Sequence, residues 1–127
     1  MEVINTKDQS LNYVQLRSSK TGEEYSSSLN ISKLFNSKMF ICKEILLPNK
    51  KSSASHCHKN IDEYIFVLSG ELTAFEGGKS MLVSEGSFVC FRASNDKFHY
   101  LLNNSNQIVE YLLFREKIDF NDVTYVN

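Results

Sequence analysis

Residues 56–70 read His-Cys-His-Lys-Asn-Ile-Asp-Glu-Tyr-Ile-Phe-Val-Leu-Ser-Gly, which is two histidines one position apart, an acidic pair and an apolar run closed by glycine. In an extended chain alternate side chains point to the same face, so His56 and His58 share a face and Cys57 points away. The β-branched and aromatic residues after Glu63 predict a strand, and Gly70 is typical of a turn. Two imidazoles and a carboxylate at the head of the next strand can therefore converge on one metal ion.

The remaining histidine, His99, begins a second strand-like run beside a polar turn, and the chain has three histidines in all. It is the fourth candidate ligand. A His-x-His pair alone is weak evidence, because surface strands carry such pairs without binding anything. The structural alternative is a hydrogen-bonded core histidine, with Glu63 as a charge at a strand edge. The combined spacing favours metal binding by His56, His58, Glu63 and His99.

The spacing of these residues resembles the two signature motifs of the cupin superfamily. His-x-His, four residues, Glu, six residues and Gly match the first motif at its defining positions. The second motif spans Gly86 to Asn103 with departures. Arg92 stands where the family usually has proline, Ser94 where it usually has glycine, and His99 comes two residues later than in the commonest spacing. These departures bear on the shape of the turn beside the site.

The resemblance covers roughly residues 40–114 and is closest to small single-domain cupins without an assigned reaction, which often carry a tail similar to Asp122-Val123-Thr124-Tyr125. It implies an all-β fold, a double-stranded β-helix in the form of a jelly-roll-like barrel. It also implies that Asn103 is a structural contact and not a ligand, and that the protein is a homodimer.

The order of strands and turns favours the same fold class independently. Short strands at regular spacing, separated by turn residues, are typical of a sandwich or barrel, and no amphipathic helix of useful length is evident. The pair Gly77-Gly78 predicts a tight hairpin. The strands are predicted at residues 39–47, 64–69, 71–76, 79–83, 87–91, 98–103 and 108–115.

A chain of 127 residues is the size of one domain. Residues 1–30 are rich in polar residues, and we interpret them as an N-terminal arm with one added strand or, alternatively, as a frayed terminus. Residues 31–116 form the predicted barrel, and residues 117–127 form a C-terminal tail. Family members use such an arm to pair with a second subunit, which agrees with a homodimer.

The formal net charge of −1, with mixed signs, predicts neither a nucleic-acid face nor a basic membrane patch. The first ten residues lack the apolar core of a signal peptide, and no segment approaches the length of a membrane span. We therefore expect a cytoplasmic protein. Its three cysteines should stay reduced there. Cys42 and Cys90 lie in apolar runs and are predicted to be buried thiols, and Cys57 faces away from the ligands.

Three imidazoles and one carboxylate suit one divalent ion, and zinc, iron, manganese and nickel all remain open. An open coordination position would allow isomerisation, hydrolysis, decarboxylation or oxygenation of a small metabolite. The alternative is a non-catalytic protein that binds a sugar-like or acidic ligand, and a third possibility is a structural cupin without turnover. The fold does not distinguish among these functions.

The sequence does not identify an acid-base residue. Lys43 and Glu44 fall on opposite faces of one strand, and either can face the interior. Arg92, Tyr100 and Tyr111 are interpreted as a solvated arginine and half-buried tyrosines, not as substrate contacts.

Overall fold

The computed structural model describes residues 1–126, which form eleven strands and one short helix. The strands are β1 (Val14–Arg17), β2 (Glu24–Asn30), β3 (Met39–Leu46), β4 (His56–His58), β5 (Glu63–Ser69), β6 (Glu71–Glu76), β7 (Lys79–Ser84), β8 (Phe88–Phe91), β9 (His99–Leu102), β10 (Val109–Glu116) and β11 (Val123–Tyr125), and the helix α1 spans Ile31–Phe35. The seven predicted strands are all present, with ends that differ by at most one residue.

Two antiparallel sheets face each other. One has six strands in the order β1-β2-β3-β10-β5-β8, and the other has five in the order β11-β4-β9-β6-β7. Consecutive strands such as β4 and β5 lie in different sheets, so the chain winds between the two layers. This arrangement confirms the predicted all-β, double-stranded β-helix fold.

The core lies between the two sheets and follows the alternation of side chains along each strand. In β5, Glu63, Ile65 and Val67 are buried, whereas the residues between them are only partly covered. The main apolar cluster is Leu46, Ile65, Val67, Leu72, Ala74, Val83, Phe91, Leu101, Val109 and Tyr111. Glu63 at the start of β5 and His99 at the start of β9 are buried beside this cluster.

The turn after β5 depends on Gly70. Its φ is +84°, and a Cβ there would lie 3.0 Å from the carbonyl oxygen of Ile108 and 3.0 Å from a methyl group of Val109. A side chain would be strained both by the backbone conformation and by lack of space. The glycine predicted to end the strand is therefore required by the contact between the β5–β6 turn and the start of β10.

The arm and the tail contain more secondary structure than the sequence indicates, and residue 127 of the predicted tail lies outside the described residues. The arm predicted at 1–30 contains two strands, β1 and β2, of which β2 pairs with β3. The tail predicted at 117–127 contains β11, which pairs with β4. Asn30 caps α1 by accepting a hydrogen bond from the backbone N–H of Lys33. Within residues 1–126, no helix is long and apolar enough to cross a membrane.

The burial predicted for Cys90 is wrong. Cys42 and Cys57 are buried, but Cys90 is exposed. Its strand β8 is the last strand of the six-stranded sheet, and Phe91, the next residue, takes the buried face. An apolar run on an edge strand is covered on one face only, so alternate residues of that run meet solvent.

Candidate metal site

The four predicted ligands meet between the two sheets. His56 and His58 lie on β4 and His99 begins β9, all in the five-stranded sheet, where His56 and His99 are cross-strand partners. Glu63 begins β5 in the facing sheet. The four side chains are buried or nearly so, and the two layers must stay packed to keep them together.

The imidazoles present their Nε2 atoms to the carboxylate of Glu63. His58 Nε2 lies 3.2 Å from Oε2, and His99 Nε2 lies 3.2 Å from Oε1. His56 Nε2 lies 4.0 Å from Oε1. One donor atom from each of His56, His58 and Glu63 can be chosen so that all three lie within 4.8 Å of one another. Three of the four predicted ligands, His56, His58 and Glu63, therefore form a group with metal-site spacing, and His99 adjoins it through its contact with Glu63.

The other ring nitrogens fix the tautomers of two histidines. His56 Nδ1 lies 2.9 Å from the carbonyl oxygen of Ala54, which can only accept a hydrogen bond. His58 Nδ1 lies 3.0 Å from Oδ1 of Asp122. Both Nδ1 atoms therefore carry hydrogen. In the neutral form of each ring, Nε2 is then a bare lone pair directed at Glu63.

A bare nitrogen and a carboxylate oxygen are both acceptors, and two acceptors at 3.2 Å repel each other unless a cation lies between them. A proton or a metal ion can fill this role. Three imidazole nitrogens and one carboxylate oxygen match the donors that zinc, iron, nickel and manganese accept. The carboxylate behind His58 is the usual partner of a metal-binding histidine. The residues present therefore fit a divalent ion.

Arg115 is a further partner of Glu63. Its Nη1 donates to Oε2 over 2.8 Å, and its guanidinium lies 3.9 Å from the centre of the Phe40 ring. Arg115 and Glu63 are cross-strand partners in β10 and β5. The arginine thus holds one carboxylate oxygen in place and leaves Oε1 to face His56 and His99.

The charges of this cluster shift the pKa values of its members. Burial alone would raise the pKa of Glu63, but hydrogen bonds from His58 and His99 and the charge of Arg115 outweigh it and hold that pKa far below its usual range. Burial alone would lower the pKa of His58, yet Glu63 and Asp122 raise it. The pKa of His56 is lowered, chiefly by burial. Without a metal ion, these shifts favour a protonated His58 beside an ionised Glu63.

His99 is held by packing. Its ring stacks on Phe91 with a centroid distance of 3.9 Å and an interplanar angle of 4°. Its buried Nδ1 has no hydrogen-bond partner among residues 1–126. Stacking on Phe91 orients the His99 ring, whereas hydrogen bonds at Nδ1 orient the rings of His56 and His58.

A cavity of about 580 Å³ opens beside the four side chains. Its lining combines the four predicted ligands with apolar residues such as Ile65 and Leu101, and it continues to Glu44 and Tyr111. Small-molecule sites are commonly of this size and mixed character. The interpretation of Tyr111 as half-buried is wrong, because it is 0% exposed and lines the cavity.

Arg92 and Tyr100, which the sequence analysis did not count as substrate contacts, differ from each other. Arg92 is solvated as predicted, with a side chain 80% exposed and paired with Asp62. Tyr100 is partly buried as predicted, but it also lines the cavity.

The sequence left open which of Lys43 and Glu44 faces the interior, and the structure shows that Glu44 does. Lys43 forms a salt bridge with Glu110 and donates a hydrogen bond to Thr6.

Comparison with known proteins agrees with this architecture. The family model described as the cupin domain matches residues 43–115. No curated protein matches the sequence.

Three solved structures illustrate the similarity. A sugar phosphate isomerase of the cupin superfamily from Silicibacter pomeroyi has a TM-score of 0.74 and 22% identity, covering 80% of this chain and 66% of that one, so this chain spans just under two thirds of that protein. A candidate sugar phosphate isomerase from Acidithiobacillus ferrooxidans has a TM-score of 0.84 and 20% identity, covering 97% and 80% of the two chains. A predicted oxalate decarboxylase from Thermotoga maritima has a TM-score of 0.74 and 16% identity, covering 92% and 100%. At these identities the likeness shows the fold.

Proposed function

This chain belongs to the cupin family, and on that premise we propose that it is a divalent-metal-dependent enzyme acting on a small metabolite. His56, His58, Glu63 and His99 bind one ion, which is zinc, iron, manganese or nickel. The observation that carries this proposal is the convergence of three imidazole Nε2 atoms on the Glu63 carboxylate, with distances of 3.2, 3.2 and 4.0 Å. His56 and His58 carry their hydrogen on Nδ1, so their Nε2 lone pairs face the carboxylate, and a proton or a metal ion between them relieves the repulsion.

The bound ion would supply Lewis acidity, polarising a substrate oxygen or lowering the pKa of a bound water. The residues of the chain supply the rest. Ala54 and Asp122 fix the rings of His56 and His58, and Arg115 orients Glu63 through Oε2. Glu63 would help to hold the ion while it keeps its bond to Arg115, and a substrate in the adjoining cavity would meet the ion there.

The proposed substrate is a small, oxygen-rich molecule. The cavity of about 580 Å³ is large enough for a metabolite of sugar size and joins the metal ligands to buried hydroxyl and carboxyl groups. The structural neighbours described as sugar phosphate isomerases and as an oxalate decarboxylase are named for substrates of this kind. Isomerisation, hydrolysis, decarboxylation and oxygenation are the reaction types that such a site supports.

A second candidate function is non-catalytic binding of a sugar-like or acidic ligand. One observation favours it. Arg115 already gives Glu63 a permanent cationic partner at 2.8 Å, so the cluster can persist without an ion. In that case the cavity would bind small molecules equally well after the metal has been removed.

Elemental analysis of untagged protein tests the metal assignment. We expect about one ion per chain in the wild type and in Lys59→Ala, an exposed neighbour on the same segment. His58→Ala should lose the ion, because it removes one ligand and the link to Asp122. Adding metal should raise the melting temperature of the wild type and not that of His58→Ala. Full metal content in His58→Ala would contradict the assignment.

The proposed partner besides the small ligand is a second copy of the chain. An aromatic cluster on the outer face of the six-stranded sheet supports a homodimer. Phe88 is 65% exposed, its ring packs edge-on against that of Phe114, and its ring centre lies 4.5 Å from that of Phe66. Exposed aromatic patches are typical of interfaces.

We also propose a cytoplasmic location, since an exposed free thiol such as Cys90 persists in a reducing compartment.

A further inference from the structure

Glu44 is a second buried carboxyl group in the same cavity, and the metal site does not use it. It lies on β3 and is 5% exposed. Its cross-strand partners are Tyr111 on β10 and Ser28 on β2. All three residues line the cavity. A group this buried and this close to a ligand-sized space requires a reason beyond packing.

Two hydroxyl groups hold this carboxyl group. Tyr111 donates to Oε1 over 2.7 Å, and Ser26, which is fully buried behind it, donates to the same oxygen over 3.0 Å. A third hydroxyl group, that of Ser28, also lowers the pKa of Glu44. The hydrogen bonds from Tyr111 and Ser26 both end on Oε1, so Oε2 has at most Ser28 as a partner and can contact a ligand.

The surroundings of Glu44 favour its neutral form. Burial raises its pKa against the effect of the hydrogen bonds from Tyr111, Ser28 and Ser26. The nearby titratable groups are Cys42 on its own strand, Tyr111, and Glu63, whose charge raises the pKa further. The arginine of this region, Arg115, is bound to Glu63. A neutral carboxyl group can donate a hydrogen bond through Oε2, which an ionised one cannot.

The two polar ends of the cavity are separated by an apolar middle. Along β10, Tyr111 is four positions before Arg115, which is roughly 13 Å of extended chain. Arg115 marks the metal end through Glu63, and Tyr111 marks the Glu44 end. Ile65, Leu101 and Leu113 line the space between them. A ligand that fills the cavity therefore meets oxygen-binding groups at both ends.

We propose that Glu44, held by Tyr111 and Ser26, is a specificity-determining residue that binds an uncharged hydroxyl or carbonyl oxygen at the far end of the substrate. The substrate class is then a polyhydroxylated compound of four to six carbons, with one end at the metal ligands and a neutral end at Glu44. An anionic group is disfavoured at Glu44, because it would add a second negative charge there while Arg115 is bound to Glu63 and Lys33, the other basic side chain in the described cavity lining, is exposed. Only the placement of one substrate end at the metal ligands rests on the proposed function.

Isothermal titration of metal-loaded protein tests the proposal with defined probes. The sugars are D-ribose, D-xylose, D-fructose, ribose 5-phosphate and fructose 6-phosphate, and glutarate is the anionic probe of similar length. We expect at least one sugar to bind the wild type more tightly than glutarate does. Glu44→Leu should weaken that binding by at least about tenfold, or about 1.4 kcal/mol. Glu44→Gln, which keeps a neutral hydrogen-bond donor, should stay within about threefold of the wild type.

The control is Glu71→Gln, at the exposed first position of β6, which should bind as the wild type does. If Glu44→Leu does not fold, Glu44→Asp, which withdraws the carboxyl group by one methylene, gives the same comparison. Metal content is measured for every variant, so absence of metal from the wild type counts against the proposed function and not against Glu44. The inference is overturned if no sugar binds, if glutarate binds more tightly than every sugar, or if the Glu44 variants bind as the wild type does.

Discussion

His58 and Asp122, which are 64 positions apart, are joined by a hydrogen bond of 3.0 Å between Nδ1 and Oδ1. The second oxygen of Asp122 accepts from the backbone N–H of Asn60 over 3.1 Å, and its carbonyl accepts from that of Lys59 over 3.1 Å. Strand β11 then continues along β4. The C-terminal segment therefore fixes both the tautomer and the orientation of a proposed metal ligand.

Replacing Asp122 with asparagine should weaken metal binding without removing any ligand. The amide carries no charge to support the His58 ring, and outer partners of this kind are worth about 10- to 100-fold in metal affinity. The affinity can be measured by competition with a chromophoric chelator. Asp119→Asn, an exposed acidic residue in the same tail, is the control and should bind metal as the wild type does. Equal affinities for the two variants would show that the tail does not support the site.

The histidine pKa values of the metal-free protein should separate in opposite directions. His58 should titrate above its ordinary value of 6.5 and His56 below it. His58 then stabilises the fold fully below pH 6.5, and this contribution is lost as the pH rises through its folded pKa. His56 acts in the opposite sense and costs stability below pH 6.5. Nitrogen-15 NMR of the imidazole rings measures both values, and the reverse order would contradict this description of the cluster.

The same titration sets the pH dependence of metal binding. Since a metal ion must displace the proton of His58, its affinity should rise with pH until His58 is deprotonated. Calorimetric titrations in buffers of different ionisation enthalpy should show proton release at a pH below the folded pKa of His58, which the NMR titration supplies. Binding without proton release would indicate that the ion does not occupy Nε2 of His58.

Alternation along strands was enough to predict much of this molecule. His56 and His58 share a face in β4, and Glu63 begins β5, so the spacing of these residues was enough to predict the extended conformation and its buried face. His99 was added because it begins a second strand-like run beside a polar turn, and the resemblance to the second cupin motif supported it. These features are local, because the period of two applies within each strand wherever the strand lies.

The contacts that could not be predicted from the sequence depend on pairing between strands that are distant along the chain. Arg115 reaches Glu63 because β10 lies beside β5, and Tyr111 reaches Glu44 because β10 also lies beside β3. No local pattern states which strands are neighbours. The one signal for Asp122 was the resemblance of the tail to that of related cupins. Cys90 was misjudged for the same reason, since the edge position of β8 follows from sheet order.

Oligomeric state gives a test on the opposite side of the molecule. Phe88→Asp places a charge in the exposed aromatic cluster with Phe66 and Phe114, and it should convert a dimer to a monomer in sedimentation experiments. Met81→Asp, at a position 72% exposed in the other sheet, should leave the dimer intact. A monomeric wild type, or a dimer that persists in Phe88→Asp, would exclude this face as the interface.

The binding of one ion by His56, His58, Glu63 and His99 is tested most directly by X-ray absorption spectroscopy of the metal-loaded protein. We expect a first shell of nitrogen and oxygen at about 2.0–2.2 Å for zinc, with multiple scattering from three imidazoles. His99→Ala should reduce the imidazole contribution to two. A sulfur shell near about 2.3 Å, or a shell of oxygen without imidazole, would contradict the assignment.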